Sequence, residues 1–230
     1  MNVSKRLGQI LFLNPATRFL RRRFFNVGMK GYFDDLYAYA QWGGLWEIGH
    51  AQQEIMELEH DGEIRGKVLD LACGTGENAL YLAQLGYSVC GIDSAPHAIE
   101  KANTKARERG IEVVFMVADA FKLERLGRTF DTVIESGLFH HLSDSQRPAY
   151  ARSLSVVLRP RGTYYMLGIS DREPPDRSLL ALAPRRLSRE EIQATFTEGW
   201  RINWIREAKF ETRFNEKQVM RAWLASVTRL

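Results

Sequence analysis

Apolar and polar residues alternate along this chain in two distinct rhythms, and from residue 66 onward the rhythms take turns. Short apolar runs predict strands at Val68–Leu71, Ser88–Ile92, Glu112–Val117, Thr129–Glu135 and Thr163–Ile169. Between them, helical spacing predicts helices over Glu77–Gln84, closed by Gly86, Ala95–Arg109, closed by Gly110, and Asp144–Leu158, ended by a turn at Arg159-Pro160-Arg161-Gly162. Strands that alternate with helices call for a parallel sheet wrapped on both faces. A loop from Ser170 to Leu187 carries Pro174, Pro175 and Pro184 with four arginines, Arg172, Arg177, Arg185 and Arg186. Ser188 followed by Glu191 forms a capping box that opens a helix to about Thr197. Two strand-like runs, WRINWIR and KFETRF, then predict an antiparallel pair at the end of the sheet.

Residues 32–60 precede the sheet and are rich in aromatics: Tyr32, Phe33, Tyr37, Tyr39, Trp42 and Trp46. They end in a helix-like AQQEIMELEH and suit a cap over the carboxyl ends of the strands, where open α/β sheets bind ligands. The expected organisation is a basic arm and aromatic cap over 1–65 and the sheet domain over 66–230.

Charge changes the picture only at the N-terminus. The 230 residues carry a net charge of +4, but residues 1–31 hold seven basic side chains and no acidic ones. The remaining chain has 25 basic against 28 acidic residues, so no basic face for nucleic acid is expected on the main domain. The arm reads as a helix with Asn14 as N-cap and Pro15 in its first turn, favoured over a basic amphipathic segment touching a membrane surface. No apolar run is long enough to span a bilayer and no cleavable leader is evident, so a cytoplasmic protein is expected. Cys73 and Cys90 lie in apolar segments, which argues for free thiols, and with no histidine cluster beside them no metal site is expected.

Candidate chemistry centres on KVLDLACGTGENA. Gly74 and Gly76 let the backbone approach a ligand closely, and Gly74 to Ala79 also fits the dinucleotide fingerprint G-x-G-x-x-A. Glu77 begins the following helix, where its charge would repel a pyrophosphate. Asp70, Asp93 and Asp119 fall at the ends of the first three strands, each able to cap a helix or to bind a ligand. Asp93 is placed to accept ribose hydroxyls, with Ser94 beside it, and Asp119 with Ala120 to meet an adenine. No Tyr-x-x-x-Lys pair supports a nicotinamide-dependent oxidoreductase, the alternative enzyme reading.

The stretches VLDLACGTG, GIDSAPHAIEKA, VADAF, FDTVIESGLFHHL and LRPRGTYYML stand in the order and spacing of the class I S-adenosylmethionine-dependent methyltransferases, which this chain resembles across about residues 66–170. The resemblance implies a Rossmann-like, doubly wound, mostly parallel seven-stranded sheet with an antiparallel C-terminal strand and a helical N-terminal cap. It implies S-adenosylmethionine as cofactor and S-adenosylhomocysteine as product, held by Trp46, Asp70, Ala72, Gly74, Gly76, Asp93, Ser94, Asp119, Ala120 and Glu135. Ala72 replaces the usual first glycine of the loop, and Arg161 stands where a glycine is usual in the turn. The motifs that resemble those of DNA amino-, cytosine-ring and protein arginine methyltransferases are missing after the fourth strand, which leaves a small-molecule acceptor.

WEIGHAQQEI, ESGLFHHLSD and LGISDREPP further resemble small bacterial enzymes related to thiopurine and thiol S-methyltransferases, including methyltransferases of quinolone-like heterocycles. That resemblance implies transfer to O, S or N of a small, flat acceptor, with Trp42 and Trp46 to Gly49 closing over the cofactor and the Pro/Arg loop after the fifth strand bordering the acceptor. His140, or His141 beside it, is the candidate general base, with His140 preferred because it follows the apolar Leu138-Phe139 pair. A catalytically silent relative that binds through its basic arm is the alternative of another class.

Overall fold

Strands β1 (Lys67–Leu71), β2 (Ser88–Asp93), β3 (Val114–Val117), β4 (Phe130–Ser136) and β5 (Leu158–Ile169) pair in parallel. β7 (Val219–Arg229) runs antiparallel between β5 and the edge strand β6 (Trp200–Glu211). The sheet order is β3-β2-β1-β4-β5-β7-β6, so the expected seven-stranded, doubly wound α/β sheet is present. The computed structural model describes residues 31–38, 44, 46–174, 185–213 and 218–230. The arm with Asn14 and Pro15, Tyr39, Trp42, and Pro175, Arg177 and Pro184 lie outside the described residues.

The helices are α1 (31–38), α2 (Gln53–His60), α3 (Glu77–Gln84), α4 (Pro96–Arg109), α5 (Arg147–Val157) and α6 (Arg189–Thr195). Successive side chains of the central strands enter opposite apolar layers, as the pleat requires. Leu69, Leu71, Val133, Tyr164 and Met166 meet Tyr150 and Leu154 of α5 and Ile192 of α6. Val68, Ile134, Tyr165 and Leu167 meet α2, α3 and α4 through Ile55, Leu58, Leu80, Ile99 and Ala102. Strands covered on both faces read as continuous apolar runs, which is why VLDL and VIE were recognisable. The capping box of α6 forms as expected, with Ser188 Oγ accepting the Glu191 N–H at 3.2 Å and Glu191 Oε2 accepting the Ser188 N–H at 2.8 Å.

Two C-terminal expectations are corrected. WRINWIR and KFETRF do not pair with each other. WRINWIR and the KFE of the second run belong to one twelve-residue strand, β6, which ends at Glu211; Thr212 and Arg213 follow it and Phe214 lies outside the described residues. The partner is β7, whose AWLASV core is buried on both faces. Glu207 and Lys209 do not break β6, because an edge strand leaves much of one face to solvent. Arg159 to Gly162 also differ: Phe130 pairs with Leu158 and Thr132 with Thr163, so these four residues bulge out within β5 instead of preceding it. Arg161 adopts φ 65°, the left-handed conformation for which glycine is the ordinary choice.

Helix α2 is fastened to the edge of the sheet. The Gln52 amide exchanges two hydrogen bonds with the backbone of Glu211, at 3.0 and 2.8 Å, and Glu54 Oε1 accepts the Lys209 N–H at 2.8 Å. The residues just before β1 are thereby held beside the carboxyl ends of the strands.

Candidate active site

The loop from β1 to α3 places three residues in left-handed backbone within five positions: Ala72 at φ 58°, Gly74 at 55° and Gly76 at 85°. Gly76 is required by packing, since a Cβ there would stand 2.6 Å from Phe115 and 3.1 Å from Ala102. At Ala72 the substitution matters through the backbone, not the added methyl, because an L-residue in this region costs about 1–2 kcal/mol relative to glycine. The Gly74 N–H donates to Asp93 Oδ2 at 2.9 Å, and Asp93 Oδ1 accepts the Ala95 N–H at 2.9 Å. One carboxylate therefore bolts the loop to the end of β2 and caps the start of α4, with half-buried Ser94 between. Burial raises the Asp93 pKa. Asp70 Oδ2 accepts the Ala79 N–H at 3.1 Å, while Oδ1 is buried without a hydrogen-bond partner. Burial pushes the Asp70 pKa to about 7, with the charges of Asp93 and Glu135 adding to the rise. Asp119 Oδ1 accepts the Phe121 N–H at 2.9 Å, and Ala120 is half-buried beside it.

The cap closes on this loop. Trp46 Nε1 donates to the Tyr37 hydroxyl at 2.8 Å, and that hydroxyl lies 2.8 Å from where a Cβ on Gly74 would stand. Asp34 of α1 accepts the His97 N–H at 2.9 Å and so caps α4 from outside. Phe33 sets its ring edge-on to Trp46 at 5.4 Å and to His141 at 5.1 Å. Glu77 does not face the loop as expected. It binds Lys105 Nζ at 2.7 Å and takes two bonds from Arg109, at 2.7 and 2.9 Å. Burial works to raise its pKa, yet the bonds from Arg109 and Lys105 carry it below the ordinary value. The acid that does face the loop is Glu47, whose Oε2 accepts the Thr75 hydroxyl. It falls within the stretch Trp46 to Gly49 expected to close over the cofactor, though the sequence assigns it no role of its own.

At the end of β4 the structure places Glu135 and the two histidines differently from one another. Glu135 is fully buried and turned inward. Its Oε1 accepts the N–H groups of Leu138 and Phe139, and its Oε2 accepts the Tyr164 hydroxyl at 3.1 Å, itself 3.0 Å from the Tyr150 hydroxyl. The side chain shapes the turn after β4. His140, the preferred base, is 3% exposed, and its Nδ1 accepts the Ile169 N–H at 3.2 Å. With that nitrogen occupied, the ring carries its proton on Nε2 and has no free acceptor. His141 is half-buried against Phe33, and its ring nitrogens take no hydrogen bond among the described residues. Burial lowers its pKa to about 4, so it is neutral at pH 7.

Residues 68–162 match the methyltransferase domain family. A 2-heptyl-1-hydroxyquinolin-4(1H)-one methyltransferase of Mycobacteroides abscessus is 35% identical over 167 residues, which is 71% of this chain and 71% of that protein. The chain belongs to the S-adenosylmethionine-dependent methyltransferases. A structure solved for the conversion of a disulfide bond into a thioacetal group during echinomycin biosynthesis superposes with a TM-score of 0.78 at 36% identity, covering 87% of this chain and 91% of that one. The fold is shared with magnesium protoporphyrin IX methyltransferase from Synechocystis with bound S-adenosylmethionine, at TM-score 0.59 and 20% identity over 100% and 98% of the two chains. Family membership replaces the nicotinamide-dependent alternative.

The loop fits the methyltransferase cofactor. The buried, unpartnered Oδ1 of Asp70 suits a ligand with hydrogen-bond donors, and the missing Cβ at Gly74 lets the Tyr37 hydroxyl and Glu47 Oε1 come close to the loop. Among the described residues, no group of three or more His, Cys, Asp or Glu is placed to hold a metal ion, Cys73 and Cys90 are free thiols, and no helix is long and apolar enough to cross a membrane.

Burial raises the Glu135 pKa to about 7. Between about pH 4.5 and 7 the folded protein then holds a proton that the unfolded chain releases, so stability falls as pH rises through this window and levels off above it. Glu135→Gln is expected to flatten the dependence by on the order of 3 kcal/mol, read from urea unfolding at pH 5 and pH 8. An unchanged slope would mean that Glu135 stays ionised in the fold.

Proposed function

We propose that this methyltransferase transfers the methyl group to a ring hydroxyl of a small, flat heteroaromatic acceptor. The observation that carries the reading is the contact of Phe33 with His141: it brings an apolar aromatic wall and a neutral imidazole together after β4, on the side of the sheet that holds the glycine loop. Aromatic walls with one convergent polar group suit a planar acceptor. The quinolone-methylating relative supports the same acceptor class.

S-adenosylmethionine supplies, when bound, a methyl already activated by a sulfonium. The chain's task is to align the acceptor, exclude water and take a proton. Asp93 and Asp119 hold the ribose and adenine, with Asp70, Ala72, Gly74, Gly76, Ser94 and Ala120 lining the loop side. Trp46, Tyr37 and Phe33 close the site from above. His141 accepts the hydroxyl proton as the oxygen attacks; its low basicity matches an acidic heteroaromatic hydroxyl better than a simple phenol. His140 steadies the turn.

A sulfur acceptor is the second reading, supported by the structural likeness to the protein of thioacetal formation. A thiol already partly ionised near neutrality has little need of a base. Turnover of methyl-labelled cofactor on matched hydroxyquinolones, phenols and thiols tests the proposal. The hydroxy-heterocycles are expected to react at least tenfold faster than phenols. Selective turnover of thiols, unaffected by loss of His141, would move the assignment to sulfur.

A further inference from the structure

Glu47 belongs to the cap in sequence, yet its carboxylate lies on the glycine loop. The side chain is 14% exposed. Its Oε2 is fixed, accepting the Thr75 hydroxyl and lying 3.7 Å from Lys105 Nζ. Its Oε1 takes no hydrogen bond among the described residues and stands 3.3 Å from the place a Cβ on Gly74 would occupy. The largely buried carboxylate thus has one oxygen anchored and the other beside Gly74. Of the neighbouring acids, Glu77 is held by Lys105 and Arg109, Asp93 gives one lone pair of each oxygen to Gly74 and Ala95, and Asp70 keeps one buried, unpartnered oxygen; Glu47 is the acid that the cap itself brings to the loop. Lys105 does not satisfy the free oxygen, since it faces Oε2 and bonds Glu77 at 2.7 Å.

A desolvated acceptor of this kind favours a cation with N–H donors. We propose that Glu47 receives the α-ammonium group at the amino-acid end of the cofactor, an inference that rests on the cofactor assignment above. The ligand's cation and the cap then meet through one side chain. The amino-acid end of the ligand, and not its adenosine, then contacts the cap, beside the hydrogen bond from Trp46 to Tyr37 over the same loop.

The experiment compares two probes by calorimetry. S-adenosylhomocysteine carries the ammonium, whereas 5′-methylthioadenosine has the adenosine and thioether without any amino acid. Glu47→Gln keeps the size and the Thr75 contact but removes the charge. It is expected to weaken S-adenosylhomocysteine about tenfold or more and to leave 5′-methylthioadenosine within about twofold. Glu47→Asp, which withdraws the carboxylate by one methylene, should show the same selectivity, and thermal unfolding of both variants checks the fold. Equal weakening of both probes would make Glu47 a structural tie between cap and loop, and undiminished binding of S-adenosylhomocysteine would leave it no role; either overturns the proposal. Failure of the wild-type protein to bind either probe would instead remove the cofactor assignment beneath it.

Discussion

Asp93→Ala is expected to weaken S-adenosylhomocysteine binding by at least about 100-fold, close to the limit of calorimetric detection. The side chain holds both the Gly74 and Ala95 N–H groups at 2.9 Å. Each carboxylate oxygen keeps a lone pair for a ribose hydroxyl. Hydrogen bonds to a charged group contribute about 1.5–3 kcal/mol each, and about 1.4 kcal/mol is a factor of ten in affinity. Losing two ligand contacts therefore accounts for the factor of 100, and release of the loop adds to it. Asp93→Asn separates the contributions: one amide oxygen can still accept a backbone N–H, so the loop survives better than the ribose contact. Tight binding by the alanine variant, with normal thermal unfolding, would remove Asp93 from the cofactor site.

His141→Ala should lower kcat on a hydroxy-heterocycle by about 100-fold while leaving S-adenosylhomocysteine affinity unchanged, since a positioned general base typically contributes 10²–10⁴. The active form is the neutral imidazole. Its pKa, lowered to about 4 by burial, keeps it neutral through the physiological range. In the free enzyme kcat/KM should therefore hold from pH 8 to about pH 5 and fall as pH drops through about 4, and the variant should lose that acid limb. His140→Ala is expected to behave differently. Its ring accepts the Ile169 N–H inside the core, so its removal leaves a buried donor unpaired at a cost of about 1–3 kcal/mol of stability. Equal losses of kcat in both variants, with neither destabilised, would refute the division of roles.

Much of the sheet was legible because its signals are local. A four-residue, largely apolar run, a capping box and a glycine closing α4 each act within one turn or strand, so VLDL, Ser188 with Glu191 and Gly110 were readable in isolation. The misread elements depended on distant partners. β6 looked like two strands because its edge position tolerates polar residues in the middle, while the strand that completes it, β7, comes last in the chain. Arg159 to Gly162 looked like a turn because a bulge between two paired positions has the same composition as a loop.

The functional residues divide in the same way. The sequence by itself determined the order of strands and helices as far as β5, the glycine loop and the placement of Asp70, Asp93 and Asp119 near strand ends, because periodicity and spacing are properties of neighbouring residues. Only the tertiary structure decided what each acid and imidazole faces. Glu135 turns inward to Tyr164, Glu77 is claimed by Arg109, Glu47 reaches Thr75, and His140 is occupied by Ile169 while His141 is left open toward Phe33. The physical reason is that the identity of a polar side chain states what it can bond, whereas packing across segments far apart in the chain determines which partner comes within bonding distance and how much water remains beside it.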